Sequence, residues 1–218
     1  MKKIQIIVGH YGSGKTNVAV NMAIRLTNIA ESQVSLVDLD IVNPYFRAAD
    51  NKDLLESNGI KAILPKYANT NVDIPTPPIE IKSVFDTDCY SVFDVGGDDD
   101  GAIVLSVYRD QIISKGYEMY FIYNVYRPLT SDPNDAFILM KNIEKVTGLQ
   151  FTGIINNSNL GIETTVDDVL DSINKADTLS NLSGVNVICT TVLENFDLSL
   201  FPNNLNITPI KNITKQLF

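Results

Sequence analysis

Apolar and polar positions along this chain switch between two rhythms, and the switching predicts the architecture. Residues 3–8 form a short, mostly apolar run of the kind that fills a buried parallel strand. From residue 16 to residue 29 the apolar positions Val18, Met22, Ile24, Leu26 and Ile29 recur at roughly helical spacing. The strand rhythm returns at residues 34–38, 60–64, 90–94, 117–123, 151–155 and 185–193. Residues 102–114 and 164–182 read as helices, and Asp132-Pro133 opens another that Gly148 closes. Such βα alternation predicts an α/β fold of three layers, a mostly parallel twisted sheet with helices on both faces. Ligands of such sheets bind at the carboxyl ends of the strands.

Residues 43–82 break the rhythm, with Pro44, Pro65, Pro75, Pro77 and Pro78. Residues 65–78 read as an ordered surface loop within the same domain, either functional or a plain connection. A polar tail follows Pro202. Its late segment, residues 210–218, carries two lysines, too few for stable anchoring on a membrane.

The 218 residues suit a single domain over 1–218 with a full core. With 44% hydrophobic and 20% charged residues, the chain has the composition of a globular protein. A net charge of −9 disfavours nonspecific nucleic-acid binding and docking on anionic membranes. No apolar run reaches membrane-spanning length and no signal peptide opens the chain, so a cytoplasmic location is expected. Cys89 and Cys189 read as two buried, reduced thiols. With no C-x-x-C and His10 as the only histidine, a zinc or iron–sulfur site within one chain is disfavoured.

Candidate chemistry is concentrated in residues 9–16, Gly-His-Tyr-Gly-Ser-Gly-Lys-Thr, which match the phosphate-binding P-loop G-x-x-x-x-G-K-[ST] between a strand and a helix. The expected phosphate cradle is Gly9, His10, Tyr11, Gly12, Ser13, Gly14, Lys15, Thr16 and the adjoining Asn17. The glycines leave the backbone N–H groups free to turn toward an anion at a helix N-terminus. Lys15 can reach the β- and γ-phosphates, and the Thr16 hydroxyl can ligate Mg²⁺.

Two later strands end in acid, at Val37-Asp38-Leu39-Asp40 and at Phe93-Asp94-Val95-Gly96-Gly97. In a P-loop fold an acid at a neighbouring strand end holds Mg²⁺, and Gly96 and Gly97 would let the next loop respond to the γ-phosphate.

The succession of P-loop, V-D-x-D and D-x-G-G, with Val37 to Arg47 reading VDLDIVNPYFR, resembles the CobQ/CobB/MinD/ParA-type nucleotide-binding proteins, within the SIMIBI class of P-loop NTPases. The likeness runs from Lys3 to about Leu193. It implies an ATP-binding protein in which Asp38 and Asp94 hold Mg²⁺ with Thr16, Asp40 positions the attacking water and Lys15 neutralises phosphate charge. It places Asn156 at an adenine-contacting asparagine. Asn156 and Asn157 are equally readable as a turn after a strand. Guanine recognition in related NTPases uses N-K-x-D; here the run is Asn156-Asn157-Ser158-Asn159, and an asparagine at the last position accepts guanine's N–H groups poorly.

Many MinD/ParA ATPases carry a second lysine early in the loop, reaching across a nucleotide-sandwich homodimer. Here that position is His10, which puts ATP-driven dimerisation and fast hydrolysis in question and reads most simply as a loop residue without a catalytic task. Asp98, Asp99 and Asp100 read as helix-dipole acids, with a second metal site the alternative. Arg127 and Arg47 read as surface ion-pair residues, with anion contact the alternative.

The expected function is a Mg²⁺-dependent, slow ATPase whose nucleotide sets the conformation of loops read by a protein partner. The alternatives are an ATP-dependent ligase of the dethiobiotin-synthetase or cobyrinic-acid-synthase type acting on a small carboxylate, and a nucleotide-binding module without turnover.

Overall fold

The computed structural model describes residues 1–30, 32–40, 51–64 and 80–213, the side chains of Asp99 and Asp100 excepted. Among the described residues eight strands form one sheet: β1 Ile4–Val8, β2 Val34–Leu39, β3 Ile60–Ile63, β4 Tyr90–Val95, β5 Tyr117–Tyr123, β6 Gly153–Asn156, β7 Val187–Leu193 and β8 Ile207–Ile210. Their spatial order is β3-β2-β4-β1-β5-β6-β7-β8. Every neighbouring pair is parallel, a stricter arrangement than the mostly parallel sheet expected. The helices are α1 Lys15–Ile29, α2 Lys52–Ser57, α3 Ile81–Asp86, α4 Asp98–Ala102, α5 Arg109–Lys115, α6 Pro133–Thr147 and α7 Val166–Ser183.

Strand β1 feeds both faces of the sheet. Ile4, Ile6 and Val8 join the core under α3 to α7, with Ile112, Met140, Ile143 and Leu179 from the helices. Ile7 joins the opposite core, where Val18, Ala19, Ala23 and Leu26 of α1 and Leu55 of α2 pack. The alternation of faces along a strand divides one apolar run between two helical layers.

The helix ends are set by local chemistry. Asp132 caps α6 by accepting from the Asn134 N–H, Pro133 fills its first turn, and Gly148 ends it in the left-handed region at φ 66°. Thr165 and Asp168 form a reciprocal capping box at the start of α7.

Two expectations change. The single helix over residues 102–114 is instead α4, a 3₁₀ run Ile103–Tyr108 and α5. Ile103, Val104, Leu105 and Val107 cannot share one face of an α-helix; Val104 and Leu105 turn inward while Ile103 and Val107 stay exposed. The sheet also gains β8, where Pro209 sits opposite Val192. β8 is an edge strand, the place in a sheet where a proline's missing N–H is tolerated.

Both cysteines are free thiols and half-buried rather than buried. Among the described residues no helix is long and apolar enough to cross a membrane. Residues 41–50 and 65–79, which carry Pro44, Arg47 and the proline-rich loop, and residues 214–218 of the tail lie outside the described residues.

Candidate functional site

The loop of residues 9–14 joins β1 to α1, and β1 lies between β4 and β5. Above it opens a cleft of about 500 Å³ along the carboxyl edge of the sheet, from Asp40 past Tyr11, Gly12, Gly14, Lys15, Thr16 and Asn17 to Leu193, Ile210 and Asn212. That volume lies in the range of small-molecule sites.

Gly14 takes the left-handed conformation at φ 87°, turning the chain into α1 without a side-chain cap. The Ser13 N–H donates to the His10 carbonyl at 3.1 Å, which closes the loop. The Lys15 ammonium donates to the same carbonyl at 3.3 Å. Lys15 is only 6% exposed. Burial pulls its ammonium below the usual lysine value, and the Asp94, Asp40 and Asp98 carboxylates oppose that shift.

The two acidic strand ends stand side by side, because Asp38 of β2 pairs in register with Asp94 of β4. Asp38 is fully buried and its Oδ1 accepts from the Asp40 N–H at 2.9 Å, which fixes the turn out of β2. Among the described residues neither carboxylate oxygen of Asp94 completes a hydrogen bond. Burial pushes the Asp94 carboxyl up to about 6; the Thr16 hydroxyl and the Lys15 ammonium nearby pull it down, and Asp40 raises it further. The Thr16 hydroxyl therefore favours the carboxylate without meeting hydrogen-bond geometry. A buried carboxylate short of partners is costly unless a cation or donor arrives.

Among the described residues no three His, Cys, Asp or Glu side chains gather to hold a metal by themselves. Mg²⁺ characteristically takes one or two carboxylates and completes its shell with phosphate and water. Thr16 and the unsatisfied Asp94 carboxylate, with Asp38 beside it, fit that mode.

His10 is not an idle loop residue. Its Nδ1 lies 2.6 Å from Asp98 Oδ1, tying the P-loop to the segment after β4. Asp98 has φ 68°, the only positive value among the described non-glycine residues. A methyl group on Gly97 would stand 2.8 Å from the Tyr11 backbone nitrogen, so glycine there lets this segment lie against the P-loop. The Asp98 carboxylate is thus spent on His10 rather than only on a helix dipole.

The two asparagines after β6 part ways. Asn156 is fully buried. It donates to Ser172 Oγ at 2.8 Å and accepts from Ser158 Oγ at 2.6 Å, so the expected adenine contact gives way to a structural role beneath the cleft. Asn157 lines the cleft, donating to the Ser13 carbonyl at 2.7 Å and accepting from Thr191 Oγ1 at 2.5 Å. It clamps the P-loop to β7. Asn17 also lines the cleft, but its side-chain oxygen accepts the Ile213 N–H at 2.8 Å.

Two contributors carry no expectation from the sequence, and a third, Arg127, was read first as a surface ion-pair residue. Thr191 and the segment at Ile210 to Asn212 complete the far wall; the polar Thr190-Thr191 pair inside an apolar run was the available signal for the first. Arg127 forms no ion pair among the described residues and instead donates from Nε to the Gly12 carbonyl at 2.7 Å.

No protein-family model matches the chain, and no curated protein matches it. Solved structures share its fold. Signal recognition particle receptor FtsY from Elizabethkingia anophelis superposes with a TM-score of 0.54 at 19% identity, over 89% of this chain and 60% of that one. Chloroplast FtsY from Physcomitrella patens gives a TM-score of 0.58 at 16% identity, over 93% and 66%. The signal recognition particle 54 kDa protein from Aeropyrum pernix K1, in complex with GDP, gives 0.52 at 20% identity, over 87% and 41%. The chain therefore spans less than two thirds of the length of each of these structures. At these identities the likeness is one of fold.

Proposed function

We propose that this chain is a Mg²⁺-dependent ATP-binding protein with slow hydrolysis, whose bound nucleotide sets the segment after β4 for a protein partner. The observation that carries the reading is the buried trio at the P-loop: the Lys15 ammonium, and Asp94 with no hydrogen-bond partner among the described residues, beside Asp38. A Mg²⁺–triphosphate would bring a cation to Asp94 and an anion to Lys15. In that complex Lys15 neutralises the β- and γ-phosphates, Thr16 and Asp94 place the metal, and Asp40 positions water.

The neighbour bound to GDP raises the question of the base. Support for adenine comes from Asn159. Its Nδ2 donates to the Asn157 carbonyl at 2.7 Å and its Oδ1 accepts the Gly161 N–H at 3.1 Å, which leaves no acid at that position to accept guanine's N–H groups. Support for a switch comes from the His10–Asp98 contact, which links the phosphate loop to the segment after Gly96 and Gly97. With His10 engaged inside its own chain, the reading needs no crosswise residue from a second copy.

The test is binding of ATP and GTP and release of phosphate by the purified protein, with and without Mg²⁺, against Lys15→Ala. Mg²⁺-dependent ATP binding lost in the variant supports the reading. Binding of neither nucleotide overturns it, and a preference for GTP overturns the choice of base.

A further inference from the structure

We propose that Arg127 is a phosphate-contacting residue, a cation supplied by the same chain to the β–γ end of the bound triphosphate. The inference rests on the nucleotide reading above and adds a residue to that site.

Arg127 lines the cleft beside Tyr11, Gly12 and Lys15. Its Nε donates to the Gly12 carbonyl at 2.7 Å, and the side chain lies across the face of Gly12, where a methyl group would stand 3.5 Å from Nε. One edge of the guanidinium is therefore fixed on the P-loop. Among the described residues its terminal nitrogens have neither a carboxylate nor a hydrogen-bond acceptor. In a chain of net charge −9, an arginine that is half-buried, anchored through one nitrogen and unpaired at the others is a site for an anion.

The backbone beneath it is held in place. The Arg127 N–H donates to the Asn124 carbonyl at 3.2 Å, and the Thr130 N–H donates to the Arg127 carbonyl at 2.9 Å. Thr130 Oγ1 donates to the Asn124 carbonyl at 2.8 Å and the Val125 N–H donates to Ser158 Oγ at 3.0 Å. Pro128 follows directly and fixes the next φ. A cation on so constrained a loop needs little reorganisation when charge develops.

In hydrolysis, water attacks the γ-phosphorus, the bond from that phosphorus to the β–γ bridging oxygen breaks, and its electron pair stays on the β-phosphate of ADP. The proton of the water ends on the released phosphate or in solvent. Charge grows on the bridging oxygen and the γ-oxygens, where the terminal nitrogens of Arg127 donate. Their contact is stronger in the transition state than with ADP.

The experiment compares wild type, Arg127→Ala and Arg127→Lys for binding of a non-hydrolysable ATP analogue and of ADP, and for phosphate release, with thermal melting of the free proteins as the fold control. For Arg127→Ala we expect analogue affinity to fall roughly tenfold with ADP affinity little changed, and phosphate release to fall about a hundredfold or more. Arg127→Lys restores little, because a compact ammonium lacks the planar fork that rests one edge on Gly12 and presents the other to phosphate. Variants that melt as wild type and match it in both affinities and in release overturn the inference while leaving the nucleotide reading intact. Equal loss of analogue and ADP affinity also overturns it. A wild-type protein that binds neither nucleotide overturns the reading and this inference with it.

Discussion

A methyl group placed on Gly14 would stand 2.3 Å from the side-chain nitrogen of Asn157, so the tip of the P-loop closes directly on the asparagine that follows β6. Gly14→Ala is expected to destabilise the fold by about 2 kcal/mol or more, from the clash and the left-handed φ together. Asn157→Ala removes two buried hydrogen bonds and is expected to cost about 2 kcal/mol as well. Because the first penalty comes partly from the second residue, the double variant should be less damaged than the sum. Denaturant unfolding of the four proteins measures that coupling; strict additivity would separate the two sites.

Asp94 is expected to trade stability for binding. Its carboxyl titrates at about 6 in the fold, above the ordinary aspartate value, so between those values the folded state holds a proton that the unfolded state has released. The contribution of this group to stability is therefore greatest in acid and declines as pH rises to about 6, then levels off. Asp94→Asn should stabilise the free protein at pH 7 to 8 by roughly 1–3 kcal/mol, flatten that decline, and abolish Mg²⁺-dependent binding. Melting temperature against pH for both proteins is the check, and a steeper decline in the variant would contradict it.

Asn159→Asp is expected to move base preference toward guanine. The new carboxylate offers two acceptors, where the asparagine offers one oxygen already occupied by the Gly161 N–H. Competition binding with ATP and GTP should show the ratio shift by tenfold or more, on the scale of a charged hydrogen bond. An unchanged ratio would place the base elsewhere in the cleft.

His10→Ala should leave stability within about 1 kcal/mol, since Asp98 is partly exposed and such pairs are weak. Communication between loops should suffer instead. In hydrogen exchange, nucleotide is expected to protect the Gly96 and Gly97 amides in wild type and much less in the variant. Equal protection in both would remove His10 from the coupling.

How far the sequence could be read depended on how local each signal was. The strand, glycine turn and helix around Lys15 are written in consecutive residues, so the P-loop was legible in advance, as were the acids that end two strands at Asp38 and Asp94; their pairing in register was not. Pro209 concealed β8, because a proline argues against a strand unless the strand is known to lie at an edge. Asn156 and Asn157 are adjacent letters of one type, yet one faces Ser172 and the other faces the P-loop. That distinction comes from which side of the sheet each residue meets, and no single-residue preference encodes it. Arg127 has its partner at Gly12, far away in sequence, and the surface ion pair expected for it is not found among the described residues.

The stitching of residues 211–213 onto α1 has a consequence for how the protein is made. Asn21 exchanges two hydrogen bonds with Lys211, at 2.8 and 2.9 Å, and Asn17 receives Ile213, so part of the wall that closes the cleft comes from a segment synthesised after β1 to β7. Strands β1 to β7 can assemble while the chain is still growing, but the far wall begun by Thr191 is completed only once residue 213 has left the ribosome and β8 has docked. Nascent chains should therefore acquire most of their sheet before they complete their site.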